Sequence, residues 1–415
     1  MRGPGGVGRP SVQIVMAASP FSEVPLAPAD PILGLTEAFV ADKNPKKVNL
    51  GVGVYQDGSG KVPVLSVVRE AERLWFDKED SKSYLPIDGV PAYRKEVQEL
   101  LLGKDSELVA SGRVVTAQAL GGTGALKLGA DFLRRFLPGS ELYISSPSWE
   151  NHRALFESAG FTVKEYPYYS AADHGLDFPA MKAALSALPA KSIVLLHACC
   201  HNPTGVDLDA GQWDEVVAIV RERDLVPFID FAYQGFGQGI EQDAVAVRAF
   251  TKAGLPCVIS SSFSKSFSLY RERVGAITFV TADADEAKRL TSQLKRTIRT
   301  NYSNPSSHGG QIVALVLGNA ELRKKWESEL ADMRGRIQRM RTLFVQKLKS
   351  RGIERDFSFI EQQTGMFSYS GLELDKVRRL RSEFGLYIVD SGRICVAAMN
   401  ENNLDYISEA IAAVL

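Results

Sequence analysis

Apolar residues in this chain gather in short runs separated by longer stretches of helical character. The runs at 142–144, 193–196, 226–229, 258–259 and 276–280 are nearly all Leu, Ile, Val, Ala or Phe. They predict strands buried on both faces. Between or before them, 149–159, 177–188, 209–223 and 242–252 read as helices. Asp209 followed by Gln212 marks a helix start with its capping partner. The alternation predicts an α/β fold, a largely parallel sheet with helices on both faces. In such sheets ligands sit beyond the C-terminal ends of the strands. Trp149, Asn202, Asp230 and Lys265 each follow one of the expected strands.

The flanks read differently. Residues 1–27 show no period and are rich in Gly, Pro, Ala and Ser, as in an arm or tail. Arg is too sparse there for a targeting peptide, and an upstream start with Met16 as the usual first residue is expected. A helix over 33–42 leads to the strand-like run 48–55, where Gly51 and Gly53 suggest close backbone approach. A helix follows over 63–78. Gly121, Gly122 and Gly124 open another, and backbone N–H groups at such a start can meet an anion, with Thr123 as an added donor. Residues 309–351 read as a long helical region broken near Gly318, linking two domains. Residues 357–415 mix strands and helices.

At 415 residues the chain exceeds one ordinary core, so two domains are expected. Lys+Arg and Asp+Glu both total 49, which argues against nucleic acid or an anionic membrane as main partner. No apolar run approaches the length of a membrane span, and a cytoplasmic location is expected. Four cysteines in so long a chain are not a disulfide framework. His197 and His201 are four apart but lie where strand passes into loop, so no metal site is expected.

The stretch from Ser260 to Gly275 holds the candidate chemistry. Hydroxyl residues surround a single lysine, Lys265, and Arg273 stands eight residues on. Hydroxyls and an arginine can grip a phosphate dianion. An amine beside such a grip suggests a Schiff base to a phosphorylated aldehyde, pyridoxal phosphate. The alternative is a Ser-rich turn with a solvated lysine.

Ser262-Phe-Ser-Lys265, then Leu269-Tyr270-x-Glu272-Arg273-Val-Gly275, resembles the cofactor-lysine signature of the class I aminotransferases, and more narrowly the aspartate/aromatic amino acid family. The resemblance runs from about Asp30 to Leu415. It implies fold type I of the pyridoxal-phosphate-dependent transferases: a large domain (63–333) with a mostly parallel seven-stranded sheet, and a smaller α+β domain (28–62 and 334–415). It implies a homodimer with shared active sites. Pyridoxal chemistry needs a buried carboxylate for the ring nitrogen, and Asp230 fits, with His152 to orient it. Trp149 suits the ring face. Tyr233 and Asn202 are the implied donors to the ring's 3′ oxygen. Gly122, Thr123, Ser262 and Arg273 suit the phosphate, and Tyr84 matches a tyrosine that reaches it from the neighbouring subunit. Gly53 falls at the rim of the substrate pocket. Arg393 matches the arginine for the α-carboxylate, and Arg299 the one that takes a side-chain carboxylate across the dimer. Lys265 is also the implied general base and acid.

The sequence departs from the pattern at Gly121, where many relatives have serine, and at Ser306, where a second proline is common. Val54, Thr123 and Asn304 look aspartate-like at positions that separate aspartate-preferring from aromatic-accepting members. Gln56, Val62 and Ser83 settle nothing. The expected reaction is transamination between aspartate or an aromatic amino acid and 2-oxoglutarate, through a Lys265 aldimine and with ping-pong kinetics. Two alternatives stand beside it. One is a β-lyase or decarboxylase on the same fold. The other is a non-catalytic binding relative, against which Lys265, Asp230 and both arginines argue.

Overall fold

A computed structural model describes residues 19–27 and 32–415. Most of the expected N-terminal arm, 1–18, lies outside the described residues. Seven strands form the central sheet: β1 (Val114–Leu120), β2 (Leu142–Ser146), β3 (Val163–Pro167), β4 (Ile193–His197), β5 (Val226–Phe231), β6 (Cys257–Ser262) and β7 (Val274–Val280). Their order across the sheet is β1-β7-β6-β5-β4-β2-β3. β3, β2, β4, β5 and β6 pair in parallel. β7 is antiparallel to both β6 and β1, so β1 again points the same way as β6. All of β4, β6 and β7 is buried, as strands covered on both faces must be.

Two strands escape the apolar pattern, for separate reasons. β1 reads Val-Val-Thr-Ala-Gln-Ala-Leu, and its polar residues are buried but paired. Thr116 Oγ1 lies 2.9 Å from Thr278 Oγ1 on β7, and Gln118 accepts from Val90 N–H at 3.1 Å. β3 reads Val-Lys-Glu-Tyr-Pro at the sheet edge, with Lys164 and Glu165 exposed. An edge strand with outward charge and a terminal proline is protected from further pairing. β6 extends further than its apolar residues, because Ser260, Ser261 and Ser262 continue the ladder.

Where β1, β6 and β7 meet, main chain touches main chain. A Cβ on Gly275 would lie 2.4 Å from the carbonyl carbon and oxygen of Gly121 and 2.8 Å from Ser261 O. Only glycine permits this approach.

The two ends of the chain share smaller sheets beside this one. Val48–Asn49 pairs in parallel with Leu386–Tyr387, and Phe367–Tyr369 runs antiparallel to Arg393–Cys395. The expected long helical region is two helices. His308–Gly318 ends where Asn319 caps the next, α3 (Ala320–Ser350), by accepting from Glu321 and Leu322 N–H.

α3 carries three arginines that bond main-chain carbonyls instead of carboxylates. Arg334 donates to Gly235 O at 2.8 Å. Arg336 donates to Gln56 O and Met399 O, both at 2.6 Å. Arg341, 2% exposed, donates to the carbonyls of Ile360, Gly365 and Phe367, at 3.1, 2.8 and 2.6 Å, and to Ser368 Oγ. Burial pulls its guanidinium down to about 10, so it stays charged at neutral pH.

Gly275→Ala is therefore expected to destabilise the protein by more than about 2 kcal/mol, since neither backbone can yield as a side chain would. A thermal midpoint equal to that of the wild type would show that the three segments can separate.

Candidate functional site

The strand register assembles an anion cradle. Leu120 pairs with Val274, and Ser262 with Gly275, so the ends of β1 and β6 flank β7. Helix α1 (Gly121–Phe136) begins directly at the end of β1, presenting its free N–H groups there. Gly121 has φ +71°, and a Cβ there would sit 2.3 Å from Arg273 Nη2. Glycine at 121 thus leaves room for the guanidinium. Arg273 Nη1 donates to Ser264 Oγ at 3.2 Å and to Tyr270 O at 2.8 Å. Ser264 N–H donates to Ser262 Oγ at 3.3 Å.

Lys265 lies beside this cradle, its Nζ 4.6 Å from the centroid of the Tyr233 ring. Burial pulls its amine down to about 8; Asp230 opposes that shift, while Arg273 and Arg393 add to it. A neutral amine is the nucleophilic form.

Asp230 is the penultimate residue of β5 and is 9% exposed. Its Oδ2 lies 2.8 Å from His152 Nε2, and its Oδ1 accepts from Ser260 Oγ at 3.3 Å. His152 belongs to α2 (Glu150–Ser158) and is fully buried. The chain of contacts continues: His152 Nδ1 to Ser148 Oγ at 2.9 Å, and Ser148 Oγ to His197 Nε2 at 3.2 Å. Asn202 N–H donates to His197 Nδ1 at 3.4 Å. That last contact fixes the tautomer of His197. His197 Nδ1 accepts, so its Nε2 carries the hydrogen and donates to Ser148. Ser148 Oγ also meets His152 Nδ1, and His152 Nε2 donates to Asp230. Burial, together with the neighbouring His152, lowers His197 to about 3, which keeps it neutral as this order requires. For Asp230, burial works to raise the carboxyl, but the His152 hydrogen bond and nearby positive charge outweigh it and hold the group below its ordinary value.

Arg393 closes the far side. It is 1% exposed, and its Nη1 donates to Asn202 Oδ1 at 3.0 Å while Nη2 donates to Gly51 O at 2.7 Å. The Phe367 ring lies under the guanidinium, 4.3 Å from Cζ to centroid. A Cβ on Gly53 would lie 2.7 Å from Phe367 Cζ, so the close approach expected at Gly53 is to this ring. Burial pushes the Tyr233 phenol far up, so it stays protonated.

All but two of the residues expected to touch cofactor or substrate line one cavity of about 370 Å³. The exceptions are Tyr84, 88% exposed, and Arg299, whose guanidinium turns to Ser303 Oγ on the surface. The same cavity is lined by His197, Ser264, Tyr270 and Phe367, which sequence reasoning did not assign to the site. Ser264 and Tyr270 lay inside the stretch singled out, and Tyr270 OH accepts from Tyr55 N–H at 2.8 Å. Nothing local in the sequence marks Phe367. Cys199, Cys200 and Asp243 approach within 4.8 Å of one another. Asp243, however, accepts from the N–H groups of Gly235, Gly237, Gln238 and Gly239. Burial raises both thiols, Cys200 to about 11. This group ties down a turn.

A mostly parallel α/β sheet whose strand ends gather a lysine, an anion cradle and a buried carboxylate defines an enzyme of group transfer. The chain belongs to the aminotransferases of class I and II, whose family profile matches residues 45–411. It is 58% identical to the aspartate aminotransferase of Pseudomonas aeruginosa, over 95% of this chain and 99% of that one. It is 49% identical to the aromatic-amino-acid aminotransferase of Escherichia coli, over 95% and 100%. Its fold matches the crystal structure of the aromatic-amino-acid aminotransferase of Burkholderia pseudomallei covalently bound to pyridoxal phosphate. That likeness has a TM-score of 0.93 and 62% identity, covering 96% of this chain and all of the other.

Replacing His152 by leucine removes the main donor that holds Asp230 down and leaves burial opposed only by weaker influences such as Lys265. The Asp230 pKa is expected to rise by at least about one unit, read by carboxyl ¹³C NMR against pH. An unchanged value would mean that the histidine does not govern this carboxylate.

Proposed function

We propose that this protein is a pyridoxal-phosphate-dependent transaminase that moves the amino group of aspartate, tyrosine or phenylalanine to 2-oxoglutarate, giving glutamate and the matching 2-oxo acid. The observation that carries this reading is the position of Lys265, between an anion cradle and the buried Asp230 and in one cavity with Arg393. The residues fit the cofactor. The start of α1, Ser262, Ser264 and Arg273 suit its phosphate, and Asp230 suits a protonated ring nitrogen. Tyr233 and Asn202 suit the ring's 3′ oxygen, and Trp149 its face. When bound, pyridoxal phosphate supplies an aldehyde for amino groups and a ring that draws electrons away from Cα.

The chain's own residues do the rest. Lys265 would hold the cofactor through its Nζ, and the same Nζ, when free, would take a proton from the substrate Cα as base and deliver it to a different carbon as acid. Asp230, oriented by His152, keeps a positive charge at the far end of the ring. Arg393 grips the α-carboxylate with a fork that a lysine cannot copy. Asn202 and Phe367 hold that fork in place. One substrate leaves before the next enters, as two halves of one reaction in one site require.

Tyr84 and Arg299 complete the neighbouring site in a homodimer, an isologous arrangement. Their exposure, away from the cavity of their own chain, supports this reading. In it Tyr84 meets the phosphate and Arg299 the distal carboxylate of aspartate, glutamate or 2-oxoglutarate. Of the smaller domain expected over 28–62 and 334–415, the described part is 32–62 with 334–415, and 63–333 form the larger; residues 28–31 lie outside the described residues. The protein works in the cytoplasm; among the described residues no helix is long and apolar enough to cross a membrane.

Incubation with aspartate and 2-oxoglutarate should yield oxaloacetate and glutamate in equal amounts; release of ammonia or carbon dioxide instead would point to a lyase or decarboxylase. Arg299→Leu should lower kcat/KM for aspartate at least about 30-fold more than for phenylalanine, whereas Arg393→Leu should damage both. Equal losses in Arg299→Leu would show that it does not read the side chain. Mixed dimers of Lys265→Ala and Arg299→Ala chains should regain activity, because one hybrid site is whole. Heterodimers as inactive as their parents would rule out sharing.

A further inference from the structure

Arg393 has a fourth neighbour, and it is acidic. Glu150 Oε2 lies 3.6 Å from Arg393 Nη1. That is too long for a hydrogen bond but close enough for ion pairing. The oxygen is buried and has no hydrogen-bond partner, and Arg393 Nε is likewise unpartnered. A carboxylate oxygen kept from water without a donor is costly, and the guanidinium charge is what offsets that cost. Glu150 immediately follows Trp149, which lines the cavity, and opens α2, so the turn after β2 brings its carboxylate against Arg393.

We propose that Glu150 is an internal counter-ion that competes with the substrate α-carboxylate for Arg393, and so sets how tightly every amino acid and 2-oxo acid is held. This rests on the reading of Arg393 as the α-carboxylate grip. Before substrate arrives, Glu150 neutralises part of the guanidinium charge. When the α-carboxylate docks, two anions face one cation. Glu150 must then share it or swing toward water, to which its side chain is already 26% exposed. Both outcomes weaken binding relative to a site with a neutral residue at 150. The effect is common to both halves of the reaction, because every substrate and product has a carboxylate at this end. A looser grip favours release of each product before the next substrate enters.

Calorimetric titration of the holoenzyme with succinate and with 3-phenylpropanoate tests this, because neither can react. Glu150→Gln keeps the shape and removes the charge. It should bind both anions roughly three- to tenfold more tightly, with KM for amino acids falling by a similar factor and kcat changing less. Glu150→Ala should act in the same direction if the glutamine fails to fold. Unchanged or weaker binding in both variants would overturn the proposal and leave Glu150 as a support for Arg393. Arg393→Met separates the two ideas. If it abolishes binding while Glu150→Gln does not tighten it, only the counter-ion fails. If Arg393→Met binds both anions normally, the grip itself is wrong and this proposal falls with it.

Discussion

At Gly275 three stretches of main chain come closer than any side chain would allow. The strand that carries this glycine is antiparallel to both of its neighbours, so it brings two strand ends to one edge without sharing their direction. One end leads into the first turn of α1. The other leads through the serines to Lys265. The distance between the donors at Gly122 and those at Ser262 is therefore set by backbone pairing, and not by the packing of flexible side chains. Gly121 extends the same logic outward by making room for Arg273. An anion site built this way is rigid before any ligand arrives, and such pre-organisation reduces the ordering that binding must do.

Charge in the cleft is unbalanced by design. Lys265, Arg273 and Arg393 share one cavity whose lining holds a single carboxylate, Asp230, while Glu150 stands outside that lining against Arg393. Lys265 shows the effect: burial, aided by its two cationic neighbours, brings it to about 8 from an ordinary 10.5. Its folded value lies below the unfolded one, so the unfolded chain holds more protons between those two pH values. The contribution of this group to stability therefore rises with pH across that window and is unfavourable at pH 7. An anionic ligand that enters the cradle relieves the same repulsion, which couples ligand binding to stability.

Much of this was legible in the sequence because it is local. The parallel strands announce themselves as apolar runs, and the lysine segment keeps its chemistry within sixteen residues. Helix ends were within a residue or three, and the Asp209–Gln212 capping box is present. The missing strands were those whose stability comes from elsewhere. β1 hides its polarity in pairs made with β7, Val90 and Ser306, and β3 is an edge. The run at 48–55 contributes only Val48–Asn49 as strand, since Gly51 and Gly53 instead pass close to side chains of Leu35 and Phe367. His152 was assigned to Asp230 by chemistry, but the row through Ser148 and His197 requires three segments to meet in space. Phe367 and Glu150 acquire meaning only from Arg393.

The arginines of α3 have a consequence for how this protein can change. Arg334, Arg336 and Arg341 hold the loops behind the substrate pocket by their carbonyl oxygens, which every amino acid possesses. The side chains at Gln56 and Met399 are not what the helix grips. Such loops can accept substitutions that alter the pocket's lining while the pocket's outline stays in place. A scaffold held in this manner can drift from one substrate side chain to another by small steps, without first losing the site that performs the transfer.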